Sequence, residues 1–136
     1  MKITADTNVL LRAALDDDED QQDVAIEALE RAEAVAISVH SLCEFVWVLD
    51  RGYKVGRADI AAAIRRLLAM RNVVVNGPAV EAGLRMLDVG GDFADGVIAY
   101  EGKWLGSEVF VSFDKKAVTL LAKQGQQSRL LADSRG

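Results

Sequence analysis

The sequence predicts an α/β fold in which a short parallel sheet is flanked by helices on both faces, and two observations carry that expectation. Short apolar pieces at Ile3-Ala5, Ala36-Val39, Val73-Val75 and Val109-Ser112 are too brief and too continuously apolar for a half-exposed antiparallel sheet. Between them run stripes at helical spacing: Val24, Ala28, Leu29, Ala32; Ile60, Ile64, Leu67, Leu68; and Val80, Leu84, Leu87. Strand and helix in alternation imply parallel pairing with helical crossovers.

The elements follow in order. The first strand ends at Ala5, and Asp6-Thr7 leads into a helix from Asn8 to Leu15. The run Asp16 to Asp20 puts Asp16, Asp18, Asp20 and Glu27 where a calcium-binding EF-hand loop has its ligands. Gln21 replaces the turn glycine, however, and Asp23 the apolar position, so the run reads as a solvated loop whose acids favour the next helix N-terminus. In the Ser38 to Asp50 segment, Glu44 is the only acid among Leu42, Phe45, Val46, Trp47, Val48 and Leu49. A carboxylate on so apolar a helix needs a partner. The Leu42 to Leu49 and Ile60 to Leu68 helices carry more apolar surface than a small core consumes, so both are expected to reach a dimer interface or a groove for a partner. Asn76-Gly77-Pro78 hands over to a helix with proline near its first position. Gly90-Gly91 reads as a helix stop, and Asp92 to Gly96 opens a helix through Val97, Ile98, Tyr100 and Trp104. Asp114 opens the last helix, through Val118 and Leu121, and Asp133 to Gly136 are expected to fray. Trp47 and Trp104 are expected as core or subunit contacts.

A chain of 136 residues fits one domain, 1-136, able to bury about two thirds of its unfolded surface. It has no apolar run of about 18 residues, and Lys2 leads into a strand rather than an apolar leader, so a cytoplasmic protein without membrane contact is expected. The single cysteine, Cys43, rules out an internal disulfide and a cysteine-based zinc set and is expected in the core. A net charge of −5 opposes nucleic-acid binding through a broad basic face. Local cations remain, among them Arg12, Arg66 and the pair Lys115-Lys116.

Four acids stand where an apolar segment gives way to a helix: Asp6, Glu44, Asp95 with Asp92 just before it, and Asp114. Ligand sites of open α/β sheets collect beyond the carboxyl ends of strands. Each acid also has a capping explanation. Asp6 or Asn8 suits an N-cap, Ser41-Leu42-Cys43-Glu44 matches a capping box, Asp92 with Asp95 resembles another, and Asp114 suits the last helix. A parallel fold would gather these acids at one edge, where they repel unless a cation sits among them. Hard oxygen donors of this kind select Mg²⁺ or Mn²⁺. The single histidine, His40, accompanies no Ser or Cys nucleophile in a recognisable motif and reads as a satisfied, partly buried residue.

Asp6-Thr7-Asn8 after the first strand, Glu44 in the second strand's helix, Gly91-Asp92-Phe93-Ala94-Asp95 followed by Ile98-Ala99, and Ser112-Phe113-Asp114 resemble the PIN-domain family, and within it the VapC ribonuclease toxins of type II toxin–antitoxin pairs. The resemblance implies a metal-dependent endoribonuclease that hydrolyses RNA phosphodiesters with activated water, leaving a 5′-phosphate and a 3′-hydroxyl. It implies one or two Mg²⁺ (or Mn²⁺) ions, a cognate VapB-type antitoxin and a homodimer or larger assembly. Carried over by matching position, Asp6, Glu44, Asp95 and Asp114 would be the catalytic metal ligands, with Asn8 and Asp92 supporting them. Arg12, Lys115 and Lys116 are the candidates for substrate contact. Gly96 stands where many relatives carry alanine and is expected to loosen the helix start. Two other readings remain: a catalytically silent RNA- or antitoxin-binding module, and a haloacid dehalogenase-like phosphatase, whose motif would want aspartate where Asn8 stands.

Overall fold

A computed structural model describes residues 1–132; Asp133 to Gly136, expected to fray, lie outside the described residues. The chain divides into two compact units, Met1–Asn76 and a second that begins at Gly77.

The first unit contains β1 (Lys2–Thr4), α1 (Thr7–Ala14), α2 (Glu19–Arg31), β2 (Ala34–Ala36), α3 (Val39–Trp47), a π-helical turn (Val48–Gly52), α4 (Arg57–Ala69) and β3 (Val73–Val74). Its strands form a parallel sheet with β2 in the middle, Ile3 opposite Val35 and Val35 opposite Val73. Parallel neighbours need a crossover, which is why helices intervene. Val35, on the central strand, is fully buried.

The acidic run does begin a helix, since Asp18 caps α2 by accepting from the Gln21 N–H, with Glu19 and Asp20 in the first turn. The buried face of α2 is Ala25 and Leu29, whereas Val24 is 68% exposed. The expected stripe was thus displaced by one residue, because Ala25 and Ala28 count equally as apolar on adjacent faces. At the other end of α2, Asn72 Nδ2 donates to the carbonyls of Leu29 and Ala32 at 2.7 and 3.0 Å, which satisfies acceptors a helix C-terminus leaves free.

The apolar residues of α3 and α4 divide between core and surface: Leu42, Phe45 and Val46 are buried, as are Ile60, Ala61, Ala63 and Ile64, while Leu67 and Leu68 are half-buried. Trp47 is 61% exposed, and Trp104 in the second unit 77%, so neither tryptophan is core. The capping box expected at Ser41 does not form. Helix α3 starts earlier, with Ser38 Oγ accepting from the Ser41 N–H, which leaves Glu44 in mid-helix.

The second unit contains α5 (Gly77–Asp88), α6 (Phe93–Trp104), β4 (Phe110–Ser112), α7 (Lys115–Lys123) and β5 (Ser128–Leu130). β4 and β5 pair in parallel, Val111 opposite Arg129. β5 was not foreseen, because Ser-Arg-Leu has no apolar run and becomes a strand through its partner's ladder. Gly90, at φ 95°, ends α5 in the left-handed region that favours glycine, as the helix-stop reading expected.

Helices α5 and α6 approach closely. A Cβ on Gly83 would lie 2.5 to 2.8 Å from the ring of Phe93, which is fully buried. A Cβ on Gly96 would be driven into the Ala82 carbonyl oxygen and sit 2.9 Å from Met86 Cγ. Gly96 therefore does not act to loosen the helix start: the missing side chain lets α6 lie against the backbone of α5. Among the described residues no helix is long and apolar enough to cross a membrane.

Candidate functional site

In the second unit three acids gather around the start of α6. Asp92 caps that helix, its Oδ1 accepting from the Ala94 N–H at 3.2 Å. Asp95 lies in the same first turn without capping it. Asp114 caps α7, its Oδ1 accepting from the N–H groups of Lys116 at 2.9 Å and Ala117 at 3.3 Å. Ser112 Oγ in turn accepts from the Asp114 N–H at 2.9 Å, which fixes the turn out of β4. The Asp95 carboxyl is held above the usual carboxylate range, first by partial burial and then by the negative charges of Asp92 and Asp114. The fold thus brings Asp92, Asp95 and Asp114 within electrostatic reach of one another, and among the described residues none of the three forms an ion pair with a lysine or arginine. Lys115 and Lys116 are exposed in the first turn of α7.

The acids of the first unit are placed differently. Asp6 caps α1, Oδ1 accepting from the Val9 N–H at 3.1 Å, and Asn8 is exposed in the first turn. Glu44 lies on the exposed side of α3, so burial does not demand a partner, and His40 Nε2 nevertheless stands 2.9 Å from its Oε1, one turn earlier. The His40 side chain is 84% exposed, which corrects the partly buried reading. The i,i+4 spacing of His40 and Glu44 is the sequence signal for this pair. Arg12, a candidate for substrate contact, is engaged inside the protein. Its Nη1 lies 2.9 Å from Asp17 Oδ1 and its Nη2 3.1 Å from the Tyr53 hydroxyl, and these partners, Tyr53 foremost, raise its pKa.

Capping and catalysis are therefore not exclusive readings of these positions. Asp6, Asp92 and Asp114 each cap through one carboxylate oxygen, which leaves the second oxygen outside the cap. Among the described residues of either unit, no three His, Cys, Asp or Glu side chains converge as a ready-made metal set. The donor chemistry nevertheless fits a hard divalent cation: the ligands are carboxylate oxygens, and the repulsion felt at Asp95 is what such an ion would relieve.

The PIN domain family model matches residues 3–121, a span that contains Asp6, Glu44, Asp95 and Asp114 and stops before β5. The chain belongs to the PIN domain family. A PIN domain is a nuclease fold, its members are generally metal-dependent, and they bind nucleic acid. Among curated proteins, none matches this chain.

Proposed function

We propose that this PIN domain is a metal-dependent endoribonuclease, the VapC-type toxin of a type II toxin–antitoxin pair. The observation that carries the nuclease reading is Asp95. In a chain of a nuclease family, a part-buried carboxylate at the head of a helix feels the charge of two more, and among the described residues no lysine or arginine forms an ion pair with it. Charge left unrelieved in this way costs stability and is kept where function needs it.

In this reading Asp95 and Asp114, joined by Asp6 and Glu44, hold Mg²⁺ or Mn²⁺, with Asn8 and Asp92 supporting them and Lys115 and Lys116 meeting the RNA backbone. A divalent cation held by these residues supplies Lewis acidity, acidifying water and neutralising charge on the leaving oxygen. The carboxylates would fix its position, and two of them, Asp6 and Asp114, are themselves held by capping their helices. Arg12 has a structural part here, because its two terminal nitrogens already bond Asp17 and Tyr53.

The toxin reading adds an antitoxin, a homodimer or larger assembly, and a cytoplasmic setting. Between α1, α2 and α4 lies an apolar groove of about 400 Å³, lined by residues including Leu10, Ile26, Leu29, Leu67 and Met70, with Arg66 and Glu30 beside them. It suits an amphipathic helix from the antitoxin, whose arginine would compete with metal for the carboxylates.

Purified protein should cleave RNA with Mg²⁺ or Mn²⁺, leave 5′-phosphate ends, and lose activity on chelation. Cleavage that persists in excess chelator would refute the metal reading. Binding that survives Asp6→Asn with no cleavage in wild type would point to the silent module instead.

A further inference from the structure

We infer that His40 is a positioning residue for the Glu44 carboxylate, an assignment that rests on the reading of Glu44 as a metal ligand. The two side chains lie one turn apart on α3, Nε2 to Oε1 at 2.9 Å. The rest of the helix shows which side they occupy: Leu42, Phe45 and Val46 are buried, while His40 and Glu44 are exposed by 84% and 55%. The pair therefore does not satisfy a buried polar group, and core packing does not account for it.

What the contact does follows from its chemistry. A glutamate on an open helix surface has several free side-chain torsions, and a cation must freeze them on binding. The imidazole N–H donates to Oε1 and restricts that freedom beforehand, leaving Oε2 for a second partner. Carboxylates that ligate metals are themselves generally held by an outer hydrogen bond of this kind. The contact engages one carboxylate oxygen of Glu44 and comes from the same helix, so it sets the side chain's direction without an element from elsewhere having to move. His40 is the only histidine in the chain.

The test uses the full chain and measures Mn²⁺ binding directly by electron paramagnetic resonance, beside RNA cleavage and thermal melting. His40→Ala should weaken Mn²⁺ binding about tenfold, the lower end for loss of an outer-sphere partner. It should raise the Mn²⁺ concentration for half-maximal cleavage in step, with kcat at saturating metal and the melting temperature near wild type. His40→Gln, whose amide can donate from the same turn, should recover most of the affinity. In a Glu44→Gln background, His40→Ala should change nothing further. Wild-type Mn²⁺ affinity in His40→Ala, or the same loss with Glu44 already replaced, overturns the assignment while leaving Glu44 as a ligand. If Glu44→Gln itself binds Mn²⁺ like wild type, the ligand reading of Glu44 falls and this inference falls with it.

Discussion

The two units hold themselves together by different means and treat their acids differently. In the first, polar side chains act as clamps: Arg12 joins Asp17 to Tyr53, Gln22 bonds Asp16 and the Ala13 carbonyl, and Asn72 closes the end of α2. Its ion pairs include Arg12 with Asp17 and Arg31 with Glu27, and Glu44 has His40 one turn away. In the second, α5 and α6 meet backbone to side chain across Gly83 and Gly96, and three aspartates crowd the start of one helix. The lesson is about where a protein leaves energy unspent. Among the described residues no lysine or arginine forms an ion pair with Asp95.

The sharpest way to break that contrast is at the crowded helix start. Asp95→Asn should lower kcat/KM for RNA about a thousandfold, as expected for loss of a metal ligand. Asp92→Asn should cost much less, because asparagine caps a helix as well as aspartate does. Equal losses would mean the two carboxylates share one role.

Next is the glycine contact. An exposed helical glycine changed to alanine ordinarily gains stability. Gly96→Ala should instead destabilise by about 1–3 kcal/mol, since the new methyl meets the Ala82 carbonyl and the helices must part. Chemical denaturation reads the sign, and a stabilised Gly96→Ala protein would show that α6 can shift at no cost.

The clamps should be worth somewhat less. Asn72→Ala removes two hydrogen bonds and leaves the partly buried carbonyls of Leu29 and Ala32 without that donor, for a loss of about 1–2 kcal/mol by denaturation. No loss would mean that water replaces the amide freely.

The smallest effect concerns the charge itself. The Asp95 carboxyl titrates above its unfolded value, so between the two the folded chain binds more protons, and stability falls as pH rises through that window. Metal-free Asp95→Asn should therefore be more stable than wild type at neutral pH, by less than about 1 kcal/mol because the group is half-exposed and screened. The gain should disappear below the ordinary carboxylate range. Melting curves across pH decide this, and a gain that persists in acid would place its origin outside the charge.

Much of this was legible in the residues. Helix starts were readable because capping is local: Asp6, Asp18, Asp92 and Asp114 bond N–H groups within three residues of themselves. The strands followed by short apolar runs were readable for a related reason, as a buried parallel strand has no polar face to hide. The four candidate acids stood out because each sits at such a local boundary. The sequence by itself thus determined the α/β alternation, the order of α1 to α7 and of β1 to β4, and the family, all properties of spacing along the chain.

The tertiary structure decided what depends on a partner distant in sequence. It placed Arg12 against Tyr53, made a strand of Ser128–Leu130, buried the apolar faces of α3 and α4, and turned Val24 outward. It gave Gly96 its purpose, since nothing near residue 96 in the sequence announces that the Ala82 carbonyl will lie where a side chain would be. It also set the Asp95 environment, because the charge of Asp114 reaches Asp95 through space after the chain has folded. Periodicity encodes which face is apolar; only packing decides what that face meets.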